Sequence, residues 1–290
     1  MPGTLFVVAT PIGNLEDISA RALSVLGRVA VIAAEDTRHT ARLLARYAIK
    51  TSTTSVHEHN ERKQTGRLIT RLLAGDDIAL VSDAGTPAVS DPGALLIRTA
   101  IDAGIRVEPI PGPSAPLAAL VASGLPTDTF TFLGFPPAKG KARSAWFEQL
   151  RTAGRTVVFF EAPHRIVATL QQLRDVIGDR NIAIARELTK KHEELVRGPI
   201  KQVLERIGVP RGEYTVIADV GYTTNLMPQT SESAAKDEAL LDEIGRITDT
   251  NYPTRRRTIG LIAKRYGLTV NQVYSALERA KLSVKRQNDS

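Results

Sequence analysis

Short apolar runs alternate with stretches of helical periodicity along the first part of the chain. Leu5–Ala9, Val29–Glu35, Asp77–Ser82 and Ile105–Ile110 read as strands. Ala20–Leu26, Thr40–Arg46, Glu61–Ala74, Gly93–Ala103 and Pro113–Ser123 read as helices. Unbroken apolar runs such as LFVVA suit strands buried on both faces, and intervening helices imply a largely parallel sheet. Strands then come in closer succession: Thr129–Phe135, Thr156–Ala162, Ile182–Glu187, Glu193–Gly198 and Tyr214–Gly221, with a helix at Ala142–Thr152. That spacing predicts a mixed sheet. The pattern therefore divides into an α/β domain over 1–122, a second α/β domain over 123–221, and a polar, aperiodic linker over 222–236.

Residues 237–290 read as a small all-helical unit. Ile259, Ile262, Ala263 and Tyr266 share one helical face, and Gly267 suits a helix stop. Thr269 and Gln272 form a capping box for a following helix with Val270, Val273, Tyr274 and Leu277 on its apolar side. The arrangement is like a helix-turn-helix. The plainer alternative is a helical hairpin that pads an interface.

Composition bounds the chemistry. A chain of 290 residues suits two domains and a small third unit. Cysteine is absent, which excludes disulfides, thiolate catalysis and Cys-based metal sites. No apolar run approaches the roughly 18 residues of a membrane span, and no leader pattern opens the chain. A cytoplasmic protein is the expectation. The net charge of +7 is localised: residues 254–290 hold nine basic and two acidic residues, and the remainder is balanced. A neutral body with a basic end suggests a polyanion-binding appendage carrying Arg255, Arg256 and Arg257.

Three strand ends run into turns rich in glycine, proline and small polar residues: Ala9–Asn14, Ser82–Pro87 and Pro109–Ala115. In an open parallel sheet, ligands bind beyond the carboxyl ends of strands. No phosphate fingerprint is present, so a pyrophosphate ligand is disfavoured. A compact cationic or zwitterionic ligand is compatible, with Asp83 facing it. A second group is charged: Glu35, Asp36, Arg38 and His39 at the end of a strand, and His57 and His59 two apart. On a strand those histidines would share a face. Hydrogen-bonding imidazoles explain them better than a metal, and no metal site is assigned.

The motifs ATPIGNLED, AAEDTRHTARLL, HEHNE, LVSDAGTPAVSDPG, PIPGPSA, FLGF, FFEAPHR, ARELTKKHEE and RGEYTVI together resemble the tetrapyrrole-methylase-like (class III) S-adenosylmethionine methyltransferases. AAEDTR and HEHNE resemble the branch that 2′-O-methylates ribose in 16S ribosomal RNA. The resemblance spans Thr4 to about Val220. It implies two α/β domains with S-adenosylmethionine in the cleft between them, a homodimer, and a cytidine in the decoding region of the small-subunit RNA as target. Carried over by motif, the cofactor contacts are Pro11, Ile12, Gly13, Asp83, Ala84, Gly85, Thr86, Pro87, Ser114, Ala115, Leu133, Phe135, Glu161, Ala162, Thr215 and Val216.

The implied reaction is attack of a ribose 2′-oxygen on a sulfonium methyl. Glu35, Asp36, His57 and His59 are candidates to orient or deprotonate the hydroxyl. Arg38, Arg165 and Arg186 are candidates to hold RNA phosphates. A tetrapyrrole methylase of the same fold is the first rival, but it has no use for a basic appendage. A ligand-sensing helix-turn-helix regulator is the second, and it leaves the acidic and histidine motifs unexplained.

Overall fold

The computed structural model describes residues 1–221. The linker at 222–236, the helical unit at 237–290 and Arg255–Arg257 lie outside the described residues. The first sheet contains β1 (Thr4–Val8), β2 (Val31–Ala34), β3 (Thr53–Ser55), β4 (Ile78–Val81) and β5 (Arg106–Ile110). Its order is β3-β2-β4-β1-β5 and every pairing is parallel. Helices α1 (Ala20–Arg28) and α2 (Thr37–Arg46) cover one face through Ala22, Val25, Leu26, Leu43 and Leu44. Helices α3 (Glu61–Leu73) and α4 (Ala94–Asp102) cover the other through Leu68, Leu72, Leu96 and Ala100. Burial on both faces explains why β2 and β4 are apolar at every position.

Helix α5 (Ala115–Ser123) leads into the second sheet: β6 (Phe130–Phe132), β7 (Thr156–Glu161), β8 (Asn181–Arg186), β9 (Glu194–Pro199) and β10 (Tyr214–Asp219). The order is β6-β7-β10-β8-β9, with β6 and β7 parallel and the other pairs antiparallel. The mixed character read from the sequence is present. Helices α6 (Gly140–Thr152), α7 (Ile166–Ile177) and α8 (Ile200–Arg206) bury Trp146, Leu150, Leu170 and Val203 against one face. Ala119 and Leu120 of α5 meet the opposite face at Val158 and Ile217.

Several boundaries shift for local reasons. Helix α2 begins three residues before its apolar pattern, because the Asp36 side chain accepts from the Arg38 N–H and caps the first turn. Strand β6 ends at Phe132, although the Leu133 N–H still donates to the Val158 carbonyl and the Gly134 carbonyl still accepts from the Phe160 N–H, each at 2.9 Å. Strand β3, α7 and α8 were not assigned from the pattern. The histidine pair is corrected: His57 and His59 lie beyond the end of β3, in the turn before α3, and not on a strand. Their rings meet edge to face at 5.9 Å.

The HEHNE segment holds this corner together. Asn60 accepts from the His57 N–H at 2.9 Å and donates to the Ser55 carbonyl at 3.1 Å. Glu61 reaches across to α4, where its Oε1 accepts from the N–H groups of Gly93 and Leu95 at 3.0 and 3.1 Å. It satisfies two orphan donors and places negative charge at a helix N-terminus. Loss of such a cap costs about 0.5–2 kcal/mol. Glu61→Ala is therefore expected to lower unfolding free energy by about that amount in a denaturant titration, with an unchanged m-value.

Candidate active site

A cavity of about 360 Å³ opens where the ends of the two sheets meet. Its first wall comes from the carboxyl ends of β1, β4 and β5: Ile12, then Ala84–Thr86, then Ser114–Pro116. These strands are adjacent in the order β4-β1-β5, so the three turns converge although they lie far apart in sequence. Thr10 locks two of them together. Its N–H donates to the Gly85 carbonyl at 2.8 Å, and the Gly85 N–H returns the bond at 3.0 Å. The Thr10 hydroxyl donates to the Ser82 carbonyl at 3.0 Å. Gly85 takes φ +82°, a backbone that other residues adopt at a cost.

The second wall comes from the mixed sheet. Phe135 follows β6, Phe160–Pro163 end β7, Ala185 and Leu188 end β8, and Gly212–Thr215 open β10. Because β10 runs antiparallel to both β7 and β8, its start lies beside their ends. The two walls touch. The Asn14 N–H donates to Thr189 Oγ1 at 3.0 Å. A Cβ on Gly13 would stand 2.5 Å from Lys190 Cγ and 2.9 Å from the Leu188 carbonyl oxygen. Glycine at 13 thus permits close backbone approach between the walls.

Ten of the residues expected to contact a cofactor line this cavity: Ile12, Ala84, Gly85, Thr86, Ser114, Ala115, Phe135, Glu161, Ala162 and Thr215. Pro11, Gly13, Asp83, Pro87, Leu133 and Val216 are not among its lining residues. Val216 faces the α6–α7 core instead, because side chains alternate along β10 and Thr215 takes the cavity side. Leu133 packs against the same core and accepts from Trp146 Nε1 at 3.2 Å. Asp83 turns toward the β2 end, where its Oδ1 accepts from the Asp36 N–H at 3.0 Å. The Asp83 N–H donates to Glu35 Oε2 at 3.3 Å.

Glu161 lines the cavity but is buried, and its carboxylate is held from behind. It meets the Arg165 guanidinium at 2.6 Å, accepts from the Thr169 hydroxyl at 2.5 Å, and accepts from the Ala162 N–H at 2.8 Å. Arg143 donates to the same Thr169 oxygen at 2.8 Å. Arg165 is therefore committed to the cavity floor, and Arg186 pairs with Glu194 at 3.2 Å. Both had been expected to hold RNA. Arg38 is also paired, with Asp36 at 2.6 Å, but its side chain is 90% exposed.

The acid that sequence reading missed is Asp91. It lines the cavity from a loop in which Ala88 and Ser90 take left-handed backbones. Partial burial, reinforced by the charges of Glu35 and Asp83 and opposed by the Ser82 hydroxyl, pushes its carboxyl up to about 6. Burial likewise raises Glu35, with the charges of Asp83 and Asp36 adding to it. Asp36 is held well below the usual range by its hydrogen bonds to Arg38. Neither His57 nor His59 lines the cavity, although His57 Nδ1 is buried with no protein partner among the described residues. Among the described residues no cluster of three potential ligands could hold a metal.

Residues 4–204 match the family of Tetrapyrrole (Corrin/Porphyrin) Methylases. The chain belongs to this family. It is 42% identical over 290 residues to the Ribosomal RNA small subunit methyltransferase I of Micromonospora olivasterospora, covering 98% of this chain and 88% of that one. The Pseudomonas aeruginosa protein of the same name is 50% identical over 220 residues, covering 74% and 78%. The crystal structure of uroporphyrin-III C-methyltransferase from Thermus thermophilus, complexed with S-adenosylhomocysteine, superposes with a TM-score of 0.54 at 18% identity, covering 75% of this chain and 98% of that one. The α/β architecture of two joined sheets is thus the fold of the methylase family.

The position of Asp91 has a stability consequence. Its folded pKa lies above that of an unfolded aspartate, so the native state holds the extra proton between about pH 4 and 6. Native stability then falls as pH rises through that window. Asp91→Asn is expected to raise the melting temperature relative to the parent at pH 7.5. The gain should shrink toward zero below about pH 4, as scanning calorimetry at both pH values would read.

Proposed function

We propose that this protein is a ribosomal RNA methyltransferase that uses S-adenosylmethionine to methylate the 2′-oxygen of a cytidine ribose in the decoding region of 16S ribosomal RNA. The observation that carries it is the cavity itself, in a chain whose full-length relatives are named for small-subunit RNA methylation. No Lys, Arg or His lines that cavity, while Asp91, Glu161 and Glu213 do. Such a site suits a cation and not a phosphate. The Ser114 and Ala115 N–H groups at the N-terminus of α5 give it backbone donors for a carboxylate, the next residue being Pro116, and Ile12, Phe135, Phe160 and Leu188 give it apolar walls. A zwitterion with a cationic sulfur fits this donor set. When bound, the cofactor supplies a methyl group on a sulfur whose positive charge already activates it for departure.

The protein's part is positioning and proton transfer. The attacking ribose oxygen gains the methyl carbon and loses its proton. Asp91 is the group on the cavity wall best matched to receive that proton. It is largely ionised at neutral pH, yet more basic than an ordinary aspartate. Asp36 is the poorer base, since Arg38 stabilises its charged form. Glu35 and Asp83 raise the basicity of Asp91 from behind. Helix α5 also leaves Leu117 and Val121 exposed, at 50% and 75%. This bare apolar face supports a homodimer, with a second copy covering it.

Labelled S-adenosylmethionine incubated with the protein, a chelator and small ribosomal subunits tests the reading. Label should enter the RNA and should survive as an alkali-resistant dinucleotide, because a 2′-O-methyl group blocks strand cleavage. Label released on an alkali-cleaved mononucleotide would instead place the methyl on a base and end the ribose assignment. The transfer rate should rise with pH through about 6, and that inflection should vanish in Asp91→Asn.

A further inference from the structure

We propose that the face of α2 bearing Arg38, Arg42 and Arg46 is the surface on this domain that holds RNA phosphates beside the cavity. The inference rests on the ribosomal RNA reading and assigns it a binding surface within the described residues.

The three arginines recur every fourth residue and all are exposed. At 1.5 Å rise per residue they stand about 6 Å apart along the axis and span about 12 Å. That step is comparable to the spacing of successive phosphates along an RNA strand. Ala41 and Ala45 are exposed between them, so short side chains leave a low floor against which a nucleic-acid backbone can approach.

Many arginines on other helices are paired with carboxylates, although Arg62, Arg67, Arg174 and Arg206 are in no ion pair among the described residues. On α1, Arg21 pairs with Glu108 and Arg28 with Asp77. On α4, Arg98 pairs with Asp102, and on α6 Arg151 pairs with Glu148. Arg71 of α3 pairs with Asp76. A solvated helix typically interleaves both signs in this way. The sequence of α2, TRHTARLLAR, contains no carboxylate at all. Its N-cap Asp36 engages Arg38 only, and Arg42 and Arg46 meet no carboxylate among the described residues. Arg46 lies over the Tyr47 ring at 5.9 Å, a contact that leaves its charge uncompensated by any carboxylate among the described residues.

The location adds to the argument. The Asp36 N–H is bonded to Asp83, and the next residue, Ala84, lines the cavity. The arginine line therefore begins at the cavity rim and runs away from it. A strand gripped along α2 would deliver a nucleotide to the carboxyl ends of β2 and β4. Helix α3 carries a basic row of the same spacing, Lys63, Arg67 and Arg71, but it covers the opposite face of the sheet and its last member is paired with Asp76.

The test compares the intact protein with Arg42→Glu/Arg46→Glu, sparing Arg38. Calorimetry with S-adenosylmethionine should give the same affinity for both, which shows that the cavity is intact. Binding of a small-subunit RNA fragment should weaken at least about tenfold. The slope of log affinity against log salt should become shallower by about one to two units, as two phosphate contacts are lost. Arg42→Gln/Arg46→Gln should lose affinity in the same direction by less, and decides the matter if the glutamate variant binds no cofactor. Lys201→Glu/Arg206→Glu makes the same charge change on α8, at the β9 side of the other sheet, and should bind RNA nearly as the parent does. Unchanged RNA affinity in the α2 variants, or an equal loss in the α8 variant, would overturn the proposal. Absence of RNA binding by the intact protein would instead remove the ribosomal reading beneath it.

Discussion

The reciprocal backbone pair between Thr10 and Gly85 is the constraint on which the site depends. It ties the turn after β1 to the turn after β4, across the point where the strand order leaves the cavity its opening. With the Thr10 hydroxyl on Ser82, three hydrogen bonds fix two turns that share no local sequence. Each is worth roughly 1 kcal/mol net, but leaving these buried groups unpaired would cost more than forming them yields. Pairing is thus enforced, and the left-handed Gly85 is its local requirement. Ile12 and the Ala84–Thr86 turn then stand side by side on the first wall, where a Cβ on Gly85 would be only 3.5 Å from Ile12 Cγ2.

Closure by the second sheet follows the same logic on a larger scale. Strand β10 sits between β7 and β8, antiparallel to both, so its first residues meet their last ones. One edge of the mixed sheet therefore presents three segments to the cavity. Contact with the first wall is made through Gly13, where the absence of a side chain lets the Leu188–Lys190 segment approach. Lys190 is in turn held by Glu187 and Glu213, at 3.0 Å each. The wall that touches Gly13 is thus braced from its own side of the cavity.

Much of this was legible in the sequence because buried parallel strands announce themselves as apolar runs, and ligand turns as glycine and proline after them. What escaped was whatever depends on a distant partner. Strand β3 is three polar residues long, and only its pairing with β2 makes it a strand. Val216 was placed in the site by its motif, yet alternation along β10 turns it to the far core. Asp83 stands in the most conspicuous loop, but the Asp36 N–H claims its carboxylate. Asp91 lies only eight residues further on. The strained backbone at Ala88 and Ser90 carries it to the cavity, and no periodic pattern encodes such a path. The arginines at 165 and 186 looked free for the same reason: their carboxylate partners are set by helix turn and strand register.

Charge is partitioned over a short distance, and the partition explains the chemistry at the junction. A cationic methyl donor calls for the acidic wall of Asp91, Glu161 and Glu213. A polyanionic substrate calls for the opposite sign close by. If both sets of charges shared one surface they would neutralise each other. Here Glu161 is buried and Asp91 half-buried in the cavity wall, and the exposed Glu213 is held by Lys190 at 3.0 Å, whereas Arg42 and Arg46 stand in water. Exposed charges fade beyond about 8 Å at physiological salt, so arginines two turns along α2 contribute little to the cavity. The Asp36–Arg38 pair sits at the border, at 2.6 Å. Asp36 both caps α2 and pairs with the nearest arginine, while the charges that act on Asp91 are those of Glu35 and Asp83, both of which raise its basicity. Under the proposed reading, a carboxylate that accepts a proton near neutrality can coexist with a phosphate-binding helix face because distance and solvent screening separate their charges.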